Sequence, residues 1–182
     1  MRRYVWDWVV RLCHLVFILG CLGAYLTYQM GQMTWHAACG YAVLAALGLR
    51  LAWGLFGSPH ARFSDFVRGP AAVLAYLRRW RSQPAPVGHN PLGGWAVLAL
   101  LAMLAAETLT GLFSDDEVAL TGPLRGFVSD DAAQMLTHLH RLAFNGLVAL
   151  VALHLGAIAL YALIKRINLV GPMITGWKRD AS

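Results

Sequence analysis

The segment LHRLAFNGLVALVALHLGAIALYALI, residues 139–164, is almost entirely apolar and contains two histidines, His140 and His154. They lie 14 residues apart in the chain. An α-helix turns about 100° and rises about 1.5 Å per residue, so this spacing ends about 40° short of four full turns and about 21 Å further along the axis. The segment therefore predicts one helix that presents two imidazoles from the same face at two depths.

The composition of the chain places this helix in a membrane. Hydrophobic residues make up 58% of the 182 residues, and charged residues only 13%. Apolar segments recur at the length needed to cross a hydrocarbon core of about 30 Å, at residues 9–28, 35–56, 92–113 and 139–164. The pattern predicts an all-α integral membrane protein, with a single domain over residues 1–182 that forms a four-helix transmembrane bundle.

A secretory signal peptide is the alternative interpretation of the first segment, because Arg2 and Arg3 precede an apolar run. However, Trp6, Asp7 and Arg11 interrupt the charged-then-apolar order that such signals have. A retained membrane helix is the favoured interpretation.

Basic residues are concentrated in three regions, which predict the orientation of the bundle. These regions are the N-terminal end, the second connection and the C-terminal tail (Arg2, Arg3, Arg11; Arg62, Arg68, Arg78, Arg79, Arg81; Lys165, Arg166, Lys178, Arg179). The positive-inside rule makes them, and with them both termini, cytoplasmic. The net charge of +6 then describes a multi-pass protein whose inner face lies near anionic lipid, and it does not indicate nucleic-acid binding.

The connection at residues 114–137 has the opposite character and is predicted to lie outside. It contains the single basic residue Arg125 against five acidic residues (Asp115, Asp116, Glu117, Asp130 and Asp131). Two interpretations stay open: this charge attracts a basic partner protein, or the connection is a solvated loop that follows the membrane charge rule.

The second connection alternates apolar residues with arginines, which predicts an amphipathic stretch on the inner membrane surface (Phe63, Phe66, Val67, Val73, Leu74 and Leu77). His60 and His89 lie in this connection and are predicted to be surface or capping residues.

Depth in the membrane pairs the remaining histidines. His14 lies just inside the first segment on the cytoplasmic side, and His36 begins the second segment on the outer side. Because the fourth segment runs inward, His140 is shallow on the outer side and His154 lies deeper. The predicted pairs are His14 with His154 and His36 with His140. Facing neutral imidazoles suit the axial positions of a haem iron, and apolar helices suit the macrocycle.

These pairs predict two stacked haems, and the absence of a Cys-x-x-Cys-His motif from the sequence excludes covalent c-type attachment. A lone histidine in a membrane helix can equally be a hydrogen-bonding residue between helices. Four at matched depths favour ligation. His138 lies about 200° around the helix from His140 and is predicted to sit at the rim.

Three arginines are candidates to pair with haem propionates. Arg50 lies 14 residues after His36. It is therefore on the same helix face, at the depth of the haem predicted between His14 and His154. The alternative for Arg50 is ordinary snorkelling towards the inner interface. Arg11 and Arg141 each lie close to a predicted ligand and are further candidates.

Glu107 is a carboxylic acid deep in the third segment, where an ionisable group is costly. It either holds a proton coupled to quinone chemistry or is a protonated side chain bonded to a neighbouring helix, and the second interpretation is favoured. The cysteines are odd in number, lie inside segments and lack metal-ligand spacing, so they are predicted to be buried thiols (Cys13, Cys21 and Cys39).

Short motifs spread over nearly the whole chain resemble those of the bacterial cytochrome b561 and nickel-iron hydrogenase b-type cytochrome family. They are RLCH (11–14), WHAACGY (35–41), ARFS (61–64) with RGP (68–70), GHNPLGG (88–94), the His140 to His154 helix, and NLV (168–170) with MITG (173–176). One departure is that Cys13 and Leu15 flank the first histidine, where aromatic residues are common in the family.

The resemblance implies four membrane helices and two b haems, with His14, His36, His140 and His154 as axial ligands. It also implies electron transfer in the bacterial inner membrane between the quinone pool and a partner protein. The chain is then an electron carrier or a subunit of a quinone-linked oxidoreductase. The partner stays open between a hydrogenase and a periplasmic c-type cytochrome, and the shortness of the chain favours the cytochrome or a free-standing quinone oxidoreductase.

A membrane transporter of metal ions or protons that uses the same histidines without haem is the competing class. It predicts polar residues along a path through the bundle. The apolar segments offer little beyond Glu107 and the histidines, so electron transfer is favoured.

Overall fold

The computed structural model describes residues 2–82, 88–115 and 121–179, without the side chains of Arg2 and Arg179. The helices are α1 (Trp8–Gln29), α2 (Met33–Phe56), α3 (Phe63–Phe66), α4 (Pro70–Arg78), α5 (Pro91–Phe113), α6 (Asp130–Ile164) and α7 (Val170–Thr175). A 3₁₀ turn covers Arg125–Phe127. Two short strands, β1 (Arg2–Tyr4) and β2 (Trp177–Arg179), pair antiparallel with Arg3 opposite Lys178.

Among the described residues, four helices, α1, α2, α5 and α6, are long and apolar enough to cross a membrane, in agreement with the four predicted spans. Their outward surfaces are apolar. On α6, for example, 70% of Leu153 and 80% of Leu163 is exposed. Exposed apolar surface on this scale requires lipid rather than water around it. The chain is therefore a multi-pass membrane protein.

Helix α6 begins at Asp130, well before the expected start of the fourth segment at residue 139. Asp130 and Asp131 lie in its first turn, where carboxylates interact favourably with the partial positive charge of a helix N-terminus. The Oγ of Ser129 accepts a hydrogen bond from the amide of Ala132 (3.3 Å). An apolar run therefore marks only part of this helix, because its first turns are polar and are stabilised by capping.

The chain divides into two compact units. The first unit comprises Met1–Leu12, Arg50–Ala99 and Leu150–Ser182, and the second comprises Cys13–Leu49 and Leu100–Ala149. The predicted single-domain organisation stays a prediction.

In the first unit, Tyr161 joins three separate segments through its hydroxyl. The side-chain amide of Asn90 donates to this oxygen (2.8 Å), and the indole of Trp80 donates to it at 3.3 Å. These donors use both lone pairs of the oxygen, so the Tyr161 hydroxyl donates its own proton to the Tyr76 hydroxyl. The contacts fix α4 and the start of α5 against the end of α6.

The second unit packs its helices through small residues. A Cβ atom added to Gly20 on α1 would lie 2.5 Å from Cγ2 of Val43 on α2. One added to Gly146 on α6 would lie 2.9 Å from Cε of Met103 on α5. Such close approach is the usual way that membrane helices gain packing energy, since lipid provides no hydrophobic driving force between them.

Asp7 is a buried carboxylate in the first unit, 8% exposed, and it organises the N-terminal end of α1. It accepts hydrogen bonds from the Val10 amide (2.9 Å), from the Trp53 indole (2.9 Å) and from the Ser58 hydroxyl. Burial alone would raise the pKa of Asp7, but the bonds from Ser58, Trp53 and the amides of Val10 and Val9 outweigh it and lower the pKa below 3.8.

Asp7→Ala is expected to destabilise the protein by about 1–3 kcal/mol, because buried donors lose their acceptor. The stabilisation is complete above pH 3.8, the unfolded-state value, and is lost as the pH falls through the lower folded-state pKa. Thermal unfolding of the purified protein and of Asp7→Ala, measured from pH 7 downwards, should therefore show a difference that shrinks below about pH 4. A difference that stays constant down to pH 2 would contradict this role.

Candidate functional site

The second unit brings His36 of α2 and His140 of α6 together. Their ring centroids lie 6.1 Å apart, and the ring planes are nearly perpendicular at 87°. Both side chains are half-buried. Two imidazoles from distant parts of the sequence thus face each other at one place among apolar helices.

Each of these imidazoles is oriented by a backbone carbonyl of a neighbouring helix. The Nδ1 of His36 lies 2.9 Å from the Ala24 carbonyl oxygen on α1, and the Nδ1 of His140 lies 2.8 Å from the Glu107 carbonyl oxygen on α5. A carbonyl oxygen can only accept, so both Nδ1 atoms carry the proton and both Nε2 atoms keep a lone pair. Metal-ligating histidines have this arrangement, in which the second nitrogen donates to a backbone carbonyl or a carboxylate.

The separation of the rings fits a metal ion between them. Two metal–nitrogen bonds of about 2 Å, and about 1 Å from each nitrogen to its ring centre, put the centroids about 6 Å apart. Within the described residues, no group of three or more His, Cys, Asp or Glu side chains is placed to hold a metal ion. The pair supplies two ligands, so such a metal would take its remaining ligands from a group such as a porphyrin.

Glu107 lies beside the same imidazole. Its Oε1 is 3.5 Å from Nε2 of His140, and its Oε2 is buried with no hydrogen-bond partner among the residues described. The carboxyl group thus contacts α6 from α5. Through its backbone carbonyl, the same residue also orients the His140 ring.

Gly111 is a further residue of this site that the sequence analysis did not single out. A Cβ atom built on it would lie 3.1 Å from Cε1 and 3.4 Å from Nδ1 of His140. The glycine therefore leaves the space that the imidazole occupies. The sequence spacing does indicate its position: Gly111 follows Glu107 by four residues, so both lie on one face of α5.

Gly111→Val is expected to displace the His140 ring, because two added methyl groups need the volume that the imidazole fills. The expected result is loss of at least half of any metal cofactor bound by His36 and His140. Gly111→Ala should show a smaller loss, since the neighbour has to move by only a few tenths of an ångström. Gly48→Val, at an exposed glycine of α2 with no atom within 4 Å of its added Cβ, is the control. Equal cofactor content in all the variants would contradict the role of Gly111.

The other two predicted ligands belong to different units. His154 is a half-buried residue of the first unit, between the exposed side chains of Leu153 and Leu155, and His14 is a half-buried residue of the second. Their pairing stays a prediction. His138 is exposed, as a position at the rim requires.

The family model described as "Prokaryotic cytochrome b561" matches residues 5–176. The chain belongs to this family. No curated protein and no solved structure matches the chain. Membership implies that this b561 chain binds b-type haem and transfers electrons in the membrane. The facing imidazoles, whose Nδ1 atoms lie against backbone carbonyls, fit that cofactor.

Of the three arginines proposed as propionate partners, Arg50 and Arg11 lie in the first unit and Arg141 in the second. Arg50 is 5% exposed, and its guanidinium carbon lies 5.1 Å from the ring centroid of Phe63. The guanidinium of Arg11 donates to the carbonyl oxygens of Met173 (3.2 Å) and Ile174, so it binds the end of α7. Their roles towards a propionate stay predictions.

His89 is half-buried and packs between aromatic rings, so the prediction of a surface residue is wrong. Its ring centroid lies 4.6 Å from that of Trp6 and 4.5 Å from that of Phe66. Burial, with Arg50, His154 and His60 nearby, lowers its pKa to about 4. The position between two helices on a basic connection suggested exposure, but contacts with residues far away in the sequence bury the ring.

The acidic connection is partly neutralised by its own arginine. Arg125 binds Asp115 (3.1 Å) and Asp130, and hydrogen bonds with these two carboxylates raise its pKa. Asp131 is exposed, whereas Asp116 and Glu117 lie outside the described residues.

Proposed function

We propose that this chain carries electrons across the bacterial cytoplasmic membrane, between the quinone pool and a periplasmic redox partner. It does so through two b haems, one ligated by His36 and His140 and the other by His14 and His154. The observation that supports the proposal best is the pair of Nδ1 bonds to the carbonyls of Ala24 and Glu107, which aims both Nε2 atoms away from the backbone.

The bound haem supplies a one-electron iron couple. The protein residues hold and insulate it. The carbonyls of Ala24 and Glu107 fix the tautomer and orientation of the two imidazoles, which preserves ligation in both oxidation states. Gly111 leaves space for one ring, and the apolar walls of the helices exclude water. Exclusion of water keeps the environment of the site little changed when the charge on the metal changes.

A membrane position gives such a protein access to quinone, which is dissolved in the lipid, on one side and to a water-soluble partner on the other. With both termini cytoplasmic, His36 and His140 lie towards the periplasm. The acidic connection then faces a periplasmic partner, such as a c-type cytochrome. A hydrogenase is the second candidate partner. Arg125 neutralises part of the connection, so steering of a basic partner depends on the remaining carboxylates, including Asp131.

Reduction of the purified protein by quinol tests the electron-transfer function directly. In lipid nanodiscs, a ubiquinol or menaquinol analogue should reduce bound haem within seconds, and oxidised c-type cytochrome should then reoxidise it. His140→Ala should interrupt the transfer to cytochrome, and His138→Ala is the matched control on the same helix. Haem that dithionite reduces but neither quinol reduces would contradict the proposed quinone link.

A further inference from the structure

The motif at residues 88–94 begins helix α5, and most of its residues have a local structural role. The Oδ1 of Asn90 caps the helix by accepting from the Gly93 amide (2.7 Å), and Pro91 occupies the first helical position. A Cβ on Gly94 would lie 2.8 Å from the Phe66 carbonyl oxygen, so this glycine allows close packing. None of these roles needs an imidazole at position 89.

The ring of His89 packs within the first unit, but one of its nitrogens has no hydrogen-bond partner among the described residues. Trp6 and Phe66 cover it. Its Nδ1 is buried and has no hydrogen-bond partner within the described part of the chain. Residues 83–87, which lie outside that part, read Gln-Pro-Ala-Pro-Val and include no charged side chain. A buried polar atom is nearly always paired in a native protein, so this nitrogen is a candidate to bind a group that none of the described residues supplies.

The surroundings of His89 indicate the charge of that group. Arg50, whose charge contributes to the lowered pKa of His89, is a permanent cation. Arg50 is itself almost completely buried. The neutral form of the His89 ring carries one N–H that can donate a hydrogen bond. Buried positive charge beside a neutral donor favours an anion over a neutral carbonyl oxygen.

The backbone conformation around His60 also supports a binding site at this place. His60 has a positive φ of 73°, a conformation that costs energy for a residue with a side chain. A Cβ on Gly88 would lie 3.2 Å from Nδ1 of His60, so this glycine makes room for the ring next to His89. The fold thus brings two histidines and one arginine together from three separate parts of the sequence.

We infer that His89 and Arg50 bind a carboxylate, and that in the haem-loaded protein it is a propionate of the haem ligated by His154. The inference rests on the proposed function. Arg50 supplies the compensating charge, and Nδ1–H of His89 donates a hydrogen bond. His89 is then a haem-binding residue in addition to the four axial ligands.

The rate of haem loss from the purified holoprotein to excess apomyoglobin tests this inference without any assay of activity. His89→Leu removes the donor, whereas His89→Asn keeps an amide donor near the position of Nδ1. We expect His89→Leu to release one of the two haems at least about tenfold faster than the wild type, because it removes a charge-assisted hydrogen bond. His89→Asn should stay within about threefold of the wild type, and His138→Leu, the exposed control, should leave the rate unchanged.

A second measurement identifies the carboxylate as the bound group. The protein is loaded with the dimethyl ester of iron protoporphyrin IX, which has no free propionate, and its loss is measured in the same way. His89→Leu should then cause no further acceleration. Equal acceleration with haem b and with the ester would show a packing role and would overturn the inference. So would unchanged haem loss combined with a raised KM for quinol, which would assign His89 to a quinone carbonyl instead.

Different results would contradict the propionate site and the electron-transfer function. A wild-type protein with two haems, and a His89→Leu variant that loses them at the wild-type rate, would overturn the propionate site alone. A wild-type protein without haem would overturn the proposed function together with this inference.

Discussion

His140→Ala is expected to remove one of the two haems, so that the purified variant holds about half of the wild-type haem per chain. The variant loses the proposed Nε2 ligand. His36→Ala should give the same result, because a low-spin b haem needs both axial ligands. The measurement is the haem-to-protein ratio, together with the reduced visible spectrum.

His138 provides the matched control for this prediction. It lies on α6 two residues before His140 but is exposed. His138→Ala should keep the full haem content and the wild-type spectrum. If His138→Ala loses haem while His140→Ala keeps it, the ligand assignment on this helix is wrong.

His154→Ala and His14→Ala are expected to produce the complementary loss, with the haem of His36 and His140 left in place and reducible. The double variant His140→Ala with His154→Ala should then bind essentially no haem. Redox titration of the single variants would resolve one midpoint potential in each, and the two potentials should together account for the wild-type curve. Identical residual spectra and potentials in His140→Ala and His154→Ala would contradict two separate sites.

Much of the fold follows from properties that are local in the sequence. Apolar length alone predicts the four membrane helices, and the 3.6-residue period of a helix places His140 on a face that meets His36 in the structure. Hydropathy did not predict the start of α6 at Asp130, because the first turns of this helix are polar and are stabilised by capping.

The residues that the sequence did not assign correctly depend on long-range contacts. Burial of His89 depends on Trp6 and Phe66, which no period or motif connects with position 89. Gly111 matters because of the His140 ring, which lies on another helix. The guanidinium of Arg11 likewise contacts carbonyls near the other end of the chain, whereas its predicted role towards a propionate stays a prediction. Composition and spacing specify helices, whereas the partners of individual side chains depend on packing.

The haem content of the purified wild-type protein tests the central claim most directly. A pyridine haemochromogen assay against protein concentration should give about two b haems per chain. Low-temperature electron paramagnetic resonance of the oxidised protein should show two low-spin ferric signals of the bis-imidazole type. A single haem per chain would contradict the two-site account, and a folded protein that contains no haem would contradict electron transfer altogether.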